Sequence, residues 1–67
     1  MWKLYIGGVL VGNATTHAAM ERMTQTFREI IASGGGWHDL QYPLGDGIGT
    51  NRIFLNAASQ ILFLEAD

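Results

Sequence analysis

The side chains best suited to acid–base chemistry in this 67-residue sequence are two histidines, His17 and His38. His38 precedes Asp39, and catalytic bases commonly consist of an imidazole that a carboxylate orients. Neighbouring residues of a β-strand point to opposite faces of a sheet, however, so Asp39 is poorly placed to orient the His38 ring. We therefore predict no catalytic residue. A small hydrolase that uses either histidine is the enzymatic alternative.

The sequence offers little else for catalysis or metal binding. It contains no cysteine, and no serine lies in the Gly-x-Ser-x-Gly pattern of a nucleophile elbow. With two histidines and dispersed carboxylates, a structural metal site would need an uncommon set of ligands. We therefore predict a non-catalytic protein with no metal site and no cofactor.

Residues that can bind an anion precede a predicted helix. Gly12 to His17 supplies hydroxyls, an amide and an imidazole beside the free N–H groups of a first helical turn. The candidate ligand residues there are Asn13, Thr15, Thr16 and His17, although N-capping explains the same residues.

A second group of candidate ligand residues lies on either side of a glycine-rich segment, residues 45 to 49. Trp37, His38 and Arg52 are candidates because aromatic and arginine side chains are enriched at binding hot spots. The segment contains three glycines within five residues, which predicts a mobile flap that rearranges on binding. The alternative role for Trp37 is a buried core residue.

The elements that must position these residues follow from apolar spacing. Residues 2 to 11 are predicted to form a β-hairpin around Gly7-Gly8, with Ile6 opposite Val9 and Leu4 opposite Val11. A helix is predicted from about residue 15 to 33, because apolar residues recur there at intervals of three and four. These residues are Ala19, Met20, Met23, Phe27, Ile30 and Ile31. Glycines 34 to 36 follow the helix, which indicates a C-terminal cap and not a phosphate-binding loop.

Three further strands are predicted over residues 37–42, 52–55 and 61–65, with residues 43–51 as a loop because of their glycine content. The resulting order is β-β-α-β-β-β. We therefore expect a single α+β domain, residues 1–67, in which one helix packs on one face of a small antiparallel sheet.

The last strand is apolar on both faces, and one helix can cover only one of them. The second face is expected to lie in an oligomer interface, because so short a chain has no residues for another covering layer. The predicted interface residues are Tyr5, Leu10, Phe54, Leu62 and Leu64. The alternative is that strand five is central and that loop residues of the same chain cover its other face.

Length and charge narrow the possible partners. A chain of 67 residues without disulfides is marginally stable alone and commonly gains stability by association with a second subunit. The net charge is −2 with only four lysines and arginines, so we expect no nucleic-acid partner. Because the sequence shows neither a signal peptide nor a membrane-spanning run, we expect no membrane partner and a cytoplasmic location.

In size and composition the chain resembles compact phage-encoded proteins that assemble into oligomers and sequester small signalling nucleotides. The resemblance implies a homo-oligomeric binding protein of prokaryotic or phage accessory type, with a small anionic or nucleotide ligand between subunits. The alternative function is a protein–protein interaction module or inhibitor that docks through an apolar sheet face or edge.

Overall fold

The computed structural model describes residues 1–44 and 47–66. Its elements are β1 (Trp2–Ile6), β2 (Val9–Ala14), α1 (His17–Ala32), β3 (Gly36–Leu44), β4 (Gly47–Leu55) and β5 (Ile61–Glu65). The strands form two antiparallel sheets. One has three strands in the order β2-β1-β5, and the other, which we call the ribbon, consists of β3 and β4. The predicted element order and the α+β class are confirmed.

The first hairpin turns at Gly7 and Gly8, whose φ angles of 59° and 82° lie in the region that favours glycine. Ile6 pairs with Val9 as predicted, but Leu4 pairs with Gly12 and not with Val11. The register shifts between Leu4 and Tyr5, so that Val11 is the extra residue of a β-bulge on β2. The predicted register is therefore correct beside the turn and wrong beyond the bulge.

Helix α1 has a defined cap at each end. Thr16 is the N-cap, and its hydroxyl oxygen accepts a hydrogen bond of 3.0 Å from the backbone N–H of Ala19. At the other end the N–H of Gly35 donates to the carbonyl of Ile30 at 2.9 Å, and that of Gly34 to Ile31 at 3.1 Å. This pair of bonds is a Schellman motif, so the glycines do cap the helix as predicted.

The prediction of a loop is wrong for residues 43–44 and 47–51, which are strand. The ribbon pairs without interruption from Gly36 with Leu55 to Leu44 with Gly47. Backbone hydrogen bonds of a ladder form whatever the side chain, so they outweigh the weak strand propensity of the glycines at 47 and 49. Of the predicted flap, residues 47–49 are strand, while Gly45 and Asp46 lie outside the described residues.

The core lies between α1 and the inner faces of both sheets. Its buried residues are Leu4, Phe27, Leu40 and Leu55, and partly buried apolar residues of α1 and of every strand except β3 surround them. The ring of Phe27 stacks on that of Phe63, with centroids 6.3 Å apart, which joins the helix to β5. Within residues 1–44 and 47–66, no helix is both long and apolar enough to cross a membrane.

Candidate binding surface

The outer face of the ribbon carries an exposed aromatic pair. Trp37 and Phe54 are directly opposite on β3 and β4, and their ring centroids lie 5.2 Å apart at an interplanar angle of 50°. Trp37 is 68% exposed and Phe54 is 48% exposed. The alternative of Trp37 as a buried core residue is therefore wrong, because β3 directs this side chain away from the helix.

One step along the ribbon, Arg52 and Asp39 form a two-pronged ion pair. Nε of Arg52 donates to Oδ1 of Asp39 at 2.9 Å, and Nη2 donates to Oδ2 at 3.2 Å. The hydrogen bond from Arg52 lowers the pKa of Asp39, and the pair raises the pKa of Arg52. The charge of Arg52 is thus already balanced by a neighbour, which weakens its role as an anion ligand.

His38 lies on the opposite side of β3 from this pair, as its position in the strand predicts. It is partly buried, and its ring meets that of Phe27 edge to face at a centroid distance of 5.6 Å. The His38-Asp39 dipeptide therefore does not form a catalytic pair within the chain. His38 acts here as a packing residue at the margin of the core.

The N-terminal end of α1 holds the other group of candidate ligand residues. Nε2 of His17 lies 2.9 Å from Oε1 of Glu21, and the imidazole ring lies 5.8 Å from the ring of Trp2. Thr15 and Thr16 are exposed, with Thr16 engaged as the N-cap. Asn13 lies on β2 opposite Lys3.

The two groups of candidate ligand residues do not meet within one chain. Phe27, which contacts His38, lies ten residues after His17, which corresponds to about 15 Å along the helix axis. Trp37 and Arg52 lie on the far side of the ribbon from the helix. The predicted ligand site between subunits is not tested by this separation and stays a prediction.

The outer face of the three-stranded sheet is apolar and uncovered. Tyr5 on β1 lies between Leu10 on β2 and Leu62 on β5, and these residues form one row across the sheet. Leu64 lies in the next row, beside Lys3. The three leucines are 49% to 54% exposed. We call Tyr5, Leu10, Leu62 and Leu64 the leucine face. These four predicted interface residues share one surface, whereas the fifth, Phe54, lies on the ribbon.

Strand β5 is an edge strand, so the alternative of a central strand five is wrong. A depression of about 330 Å³ adjoins its outer side, lined by Tyr5, Gly8, Gln60, Ile61, Leu62 and Leu64. A groove of about 250 Å³ separates its inner side from α1, lined by Thr24, Phe27, Arg28, Ile31, Ile61 and Phe63. Sequence reasoning missed this groove and Arg28, although helical spacing places Arg28 next to Thr24 and Ile31.

No three histidine, aspartate or glutamate side chains of the described residues lie close enough together to hold a metal ion. Comparison with known protein families, with curated proteins and with solved structures finds no match to this chain. Its function is therefore argued from its own geometry.

Proposed function

We propose that this protein is a non-catalytic binding protein that works as a homo-oligomer and uses the leucine face as the surface between copies. The observation that carries the proposal is the exposure of Leu10, Leu62 and Leu64 on one sheet face. Contiguous exposed apolar patches on small domains commonly mark interaction sites. The separation of His17 from His38 supports a role in binding over one in catalysis.

The burial energy of the leucine face corresponds to weak association. Burying the exposed half of a leucine contributes about 1 kcal/mol, so three leucines on each of two copies contribute about 6 kcal/mol. The loss of translational and rotational freedom opposes this with roughly 4–15 kcal/mol. The leucine face by itself therefore supports only weak pairing, and a stable oligomer needs a further contact.

Sedimentation velocity over a wide range of concentration tests the proposal. The wild-type chain should sediment as an oligomer whose fraction rises with concentration. Leu62→Lys introduces a charge on the leucine face and should shift the distribution towards monomer. Gln41→Lys adds the same charge at an exposed position on the ribbon. It should leave the distribution between oligomer and monomer unchanged. A wild-type chain that is monomeric at every concentration would refute the proposal.

A small anionic or nucleotide ligand between subunits is part of the same proposal. Its support is that exposed polar side chains at the start of α1 and the Trp37–Arg52 side of the ribbon need a second copy in order to meet. Native mass spectrometry of the purified oligomer should detect a co-purified small molecule, and calorimetric titration with a panel of nucleotides should show saturable binding. Arg52→Ala or His17→Ala should weaken that binding, and a flat response to the whole panel would eliminate the ligand.

The exposed aromatic pair favours a second candidate function, docking of a different protein on the ribbon. Tryptophan and phenylalanine bury large areas at protein interfaces, and tryptophan is enriched at hot spots. A tagged chain should then retain a foreign partner in fixed stoichiometry, and Trp37→Ala should abolish the capture. Thr50→Ala, at an exposed position on the same ribbon face, is the matched control. This variant should still capture the foreign partner.

A further inference from the structure

The two edges of the three-stranded sheet differ in how they are protected. On β2, the Val11 bulge disrupts the ladder, and Asn51 of the ribbon donates a hydrogen bond to the Val11 carbonyl. Strand β5 has regular pairing with β1 along its whole length and contains no proline, lysine or bulge. Natural edge strands commonly carry such features because an unprotected edge pairs with other chains.

The alternation of hydrogen bonds between β5 and β1 shows which backbone groups of β5 point away from β1. The N–H of Gly7 donates to the carbonyl of Gln60 at 2.9 Å, and that of Ala66 to Met1 at 2.8 Å. Because hydrogen-bonded and non-hydrogen-bonded pairs alternate in an antiparallel ladder, Leu62 and Leu64 bond to β1. The N–H and C=O groups of Ile61, Phe63 and Glu65 are then directed away from β1, where β5 has no neighbouring strand.

We propose that β5 pairs antiparallel with β5 of a second copy, about a two-fold axis at Phe63, and so forms a continuous six-stranded sheet. The inference rests on the proposed self-association and specifies its geometry. Phe63 forms a hydrogen-bonded pair with Phe63 of the second copy, and Ile61 pairs with Glu65 of the second copy. The three outward-directed residues of each strand thereby all find partners.

On the outer side, the same register completes the leucine face. Leu62 comes to lie directly opposite Leu64 of the second copy in a non-hydrogen-bonded pair, where Cα atoms approach to about 4.5 Å. The symmetric contact places Leu64 opposite Leu62 of the second copy. Leu62 and Leu64 of the two copies therefore form one cluster of four leucines across the two-fold axis, and the backbone pairing adds to their contact. Leu10, on β2, lies outside this contact.

On the inner side, charge favours a second copy of this chain as the occupant. Glu65 of the second copy lies opposite Ile61 and hence beside the groove that contains Arg28. Arg28 is exposed and forms no ion pair with the residues that the structure describes. The register thus brings an acidic and a basic group together on each side of the axis, while the two Glu65 side chains lie at opposite ends of the paired strands.

A proline at position 65 tests the edge without disturbing the ladder to β1. Glu65→Pro removes an N–H that points away from β1, whereas Glu65→Ala keeps this N–H and removes only the carboxylate. In sedimentation velocity, Glu65→Pro should weaken self-association by about tenfold or more, because two intermolecular hydrogen bonds are lost per dimer. Glu65→Ala should weaken self-association less than Glu65→Pro, because it loses only the exposed charge contact with Arg28 and keeps the backbone hydrogen bonds. Circular dichroism should show both variants folded.

Charge reversal tests the inner contact. Arg28→Glu should weaken the dimer, and the double variant Arg28→Glu with Glu65→Arg should restore its stability.

Amide hydrogen exchange tests the pairing in the wild-type chain, without any substitution. Protection at Ile61 and Phe63 should rise with protein concentration, while Leu62 and Leu64 should be protected at all concentrations.

The possible failures are distinguishable. A wild-type oligomer that Glu65→Pro leaves intact, with Ile61 and Phe63 amides unprotected, would overturn the edge pairing and leave the proposed function standing. A wild-type chain that is monomeric throughout would overturn both. Protection at Ile61 and Phe63 that requires an added extended peptide would overturn the pairing in favour of a foreign strand.

Discussion

Asn51 of β4 donates a hydrogen bond through Nδ2 to the backbone carbonyl of Val11, forty residues earlier in the chain. Val11 is the bulge residue of β2, so its backbone lacks a regular ladder partner there. The amide of Asn51 supplies one. No strand belongs to both sheets, and this bond joins the ribbon directly to the three-stranded sheet.

Removal of this bond should destabilise the fold. We expect Asn51→Ala to lower the free energy of unfolding by about 1–3 kcal/mol, since it leaves a partly buried carbonyl unsatisfied. Asn51→Asp keeps the shape but cannot donate to a carbonyl, and it should be at least as destabilising. Thr50→Ala, at the exposed neighbouring position, is the control. Urea denaturation followed by tryptophan fluorescence measures all three, and an Asn51→Ala chain as stable as the control would contradict the role assigned to the bond.

The Asp39–Arg52 pair predicts an acid-side pH dependence. Because Arg52 lowers the pKa of Asp39 in the folded chain, the stabilisation is fully present above the pKa of the unfolded state. It is lost as the pH falls through the folded-state pKa. A carboxyl-detected NMR titration should place the Asp39 midpoint below the ordinary aspartate range, and Arg52→Ala should return it to that range.

Arg52→Lys is the matched control for this titration, since it keeps the charge and removes the two-pronged geometry. It should give an intermediate midpoint for Asp39, because the hydrogen bond from Arg52 is the main cause of the lowered pKa. A midpoint equal to that of the wild type would show that charge alone is responsible.

The N-cap of α1 distinguishes two adjacent threonines. Thr16→Ala removes the acceptor for the Ala19 N–H and should cost about 1 kcal/mol of stability. Thr15→Ala, one residue outside the cap, should change the stability by less than about 0.5 kcal/mol. Chemical denaturation of the two variants side by side checks this, and equal losses would mean that Thr16 is not the functional cap.

The two glycines after α1 should respond differently to alanine. Both have positive φ, 104° at Gly34 and 102° at Gly35. A Cβ at Gly34 meets no atom within 4 Å, whereas one at Gly35 would lie 2.8 Å from the backbone oxygen of Leu55. Gly34→Ala should therefore cost about 1–2 kcal/mol through backbone strain alone. Gly35→Ala should cost more, and thermal unfolding followed by circular dichroism should rank the two in that order.

A single core truncation should remove a large fraction of the total stability. Leu55 is fully buried, and Leu55→Ala should cost about 2–5 kcal/mol. The whole domain is expected to have roughly 3–10 kcal/mol, from about 0.05–0.15 kcal/mol per residue. Val9→Ala, at a residue that is 61% exposed, should be nearly neutral in the same urea titration. A small loss for Leu55→Ala would contradict its central place in the core.

The parts of the fold that sequence predicts well depend on local signals. Gly7-Gly8 specifies the hairpin turn because both residues need positive φ, and the helical stripe through Phe27 specifies the packed face of α1. The glycines after Ser33 define its end. The apolar character of β5 on both faces correctly indicates the exposed leucine face, because that conclusion follows from alternation within one strand.

Features that depend on a distant partner were not predictable in this way. The carbonyl of the bulge residue Val11 bonds to Asn51, forty residues away, and the strand over residues 47–51 is paired with β3. For the candidate site, alternation predicts that Trp37 and His38 face opposite ways. It does not place Arg52 opposite Asp39, because that register follows from the pairing of β3 with β4, part of which the glycine content predicts to be loop.

The shape of the ribbon implies that its two halves differ in local stability. The half that includes Trp37 and Phe54 is backed by Leu40, Ile53 and Leu55, which pack into the core. In the other half, the described side chains of Gln41, Ile48 and Thr50 are exposed, with Ile48 at 73%, so these three add little buried contact that would resist fraying. Anything that binds the aromatic pair therefore rests on the half of the ribbon that packs into the core.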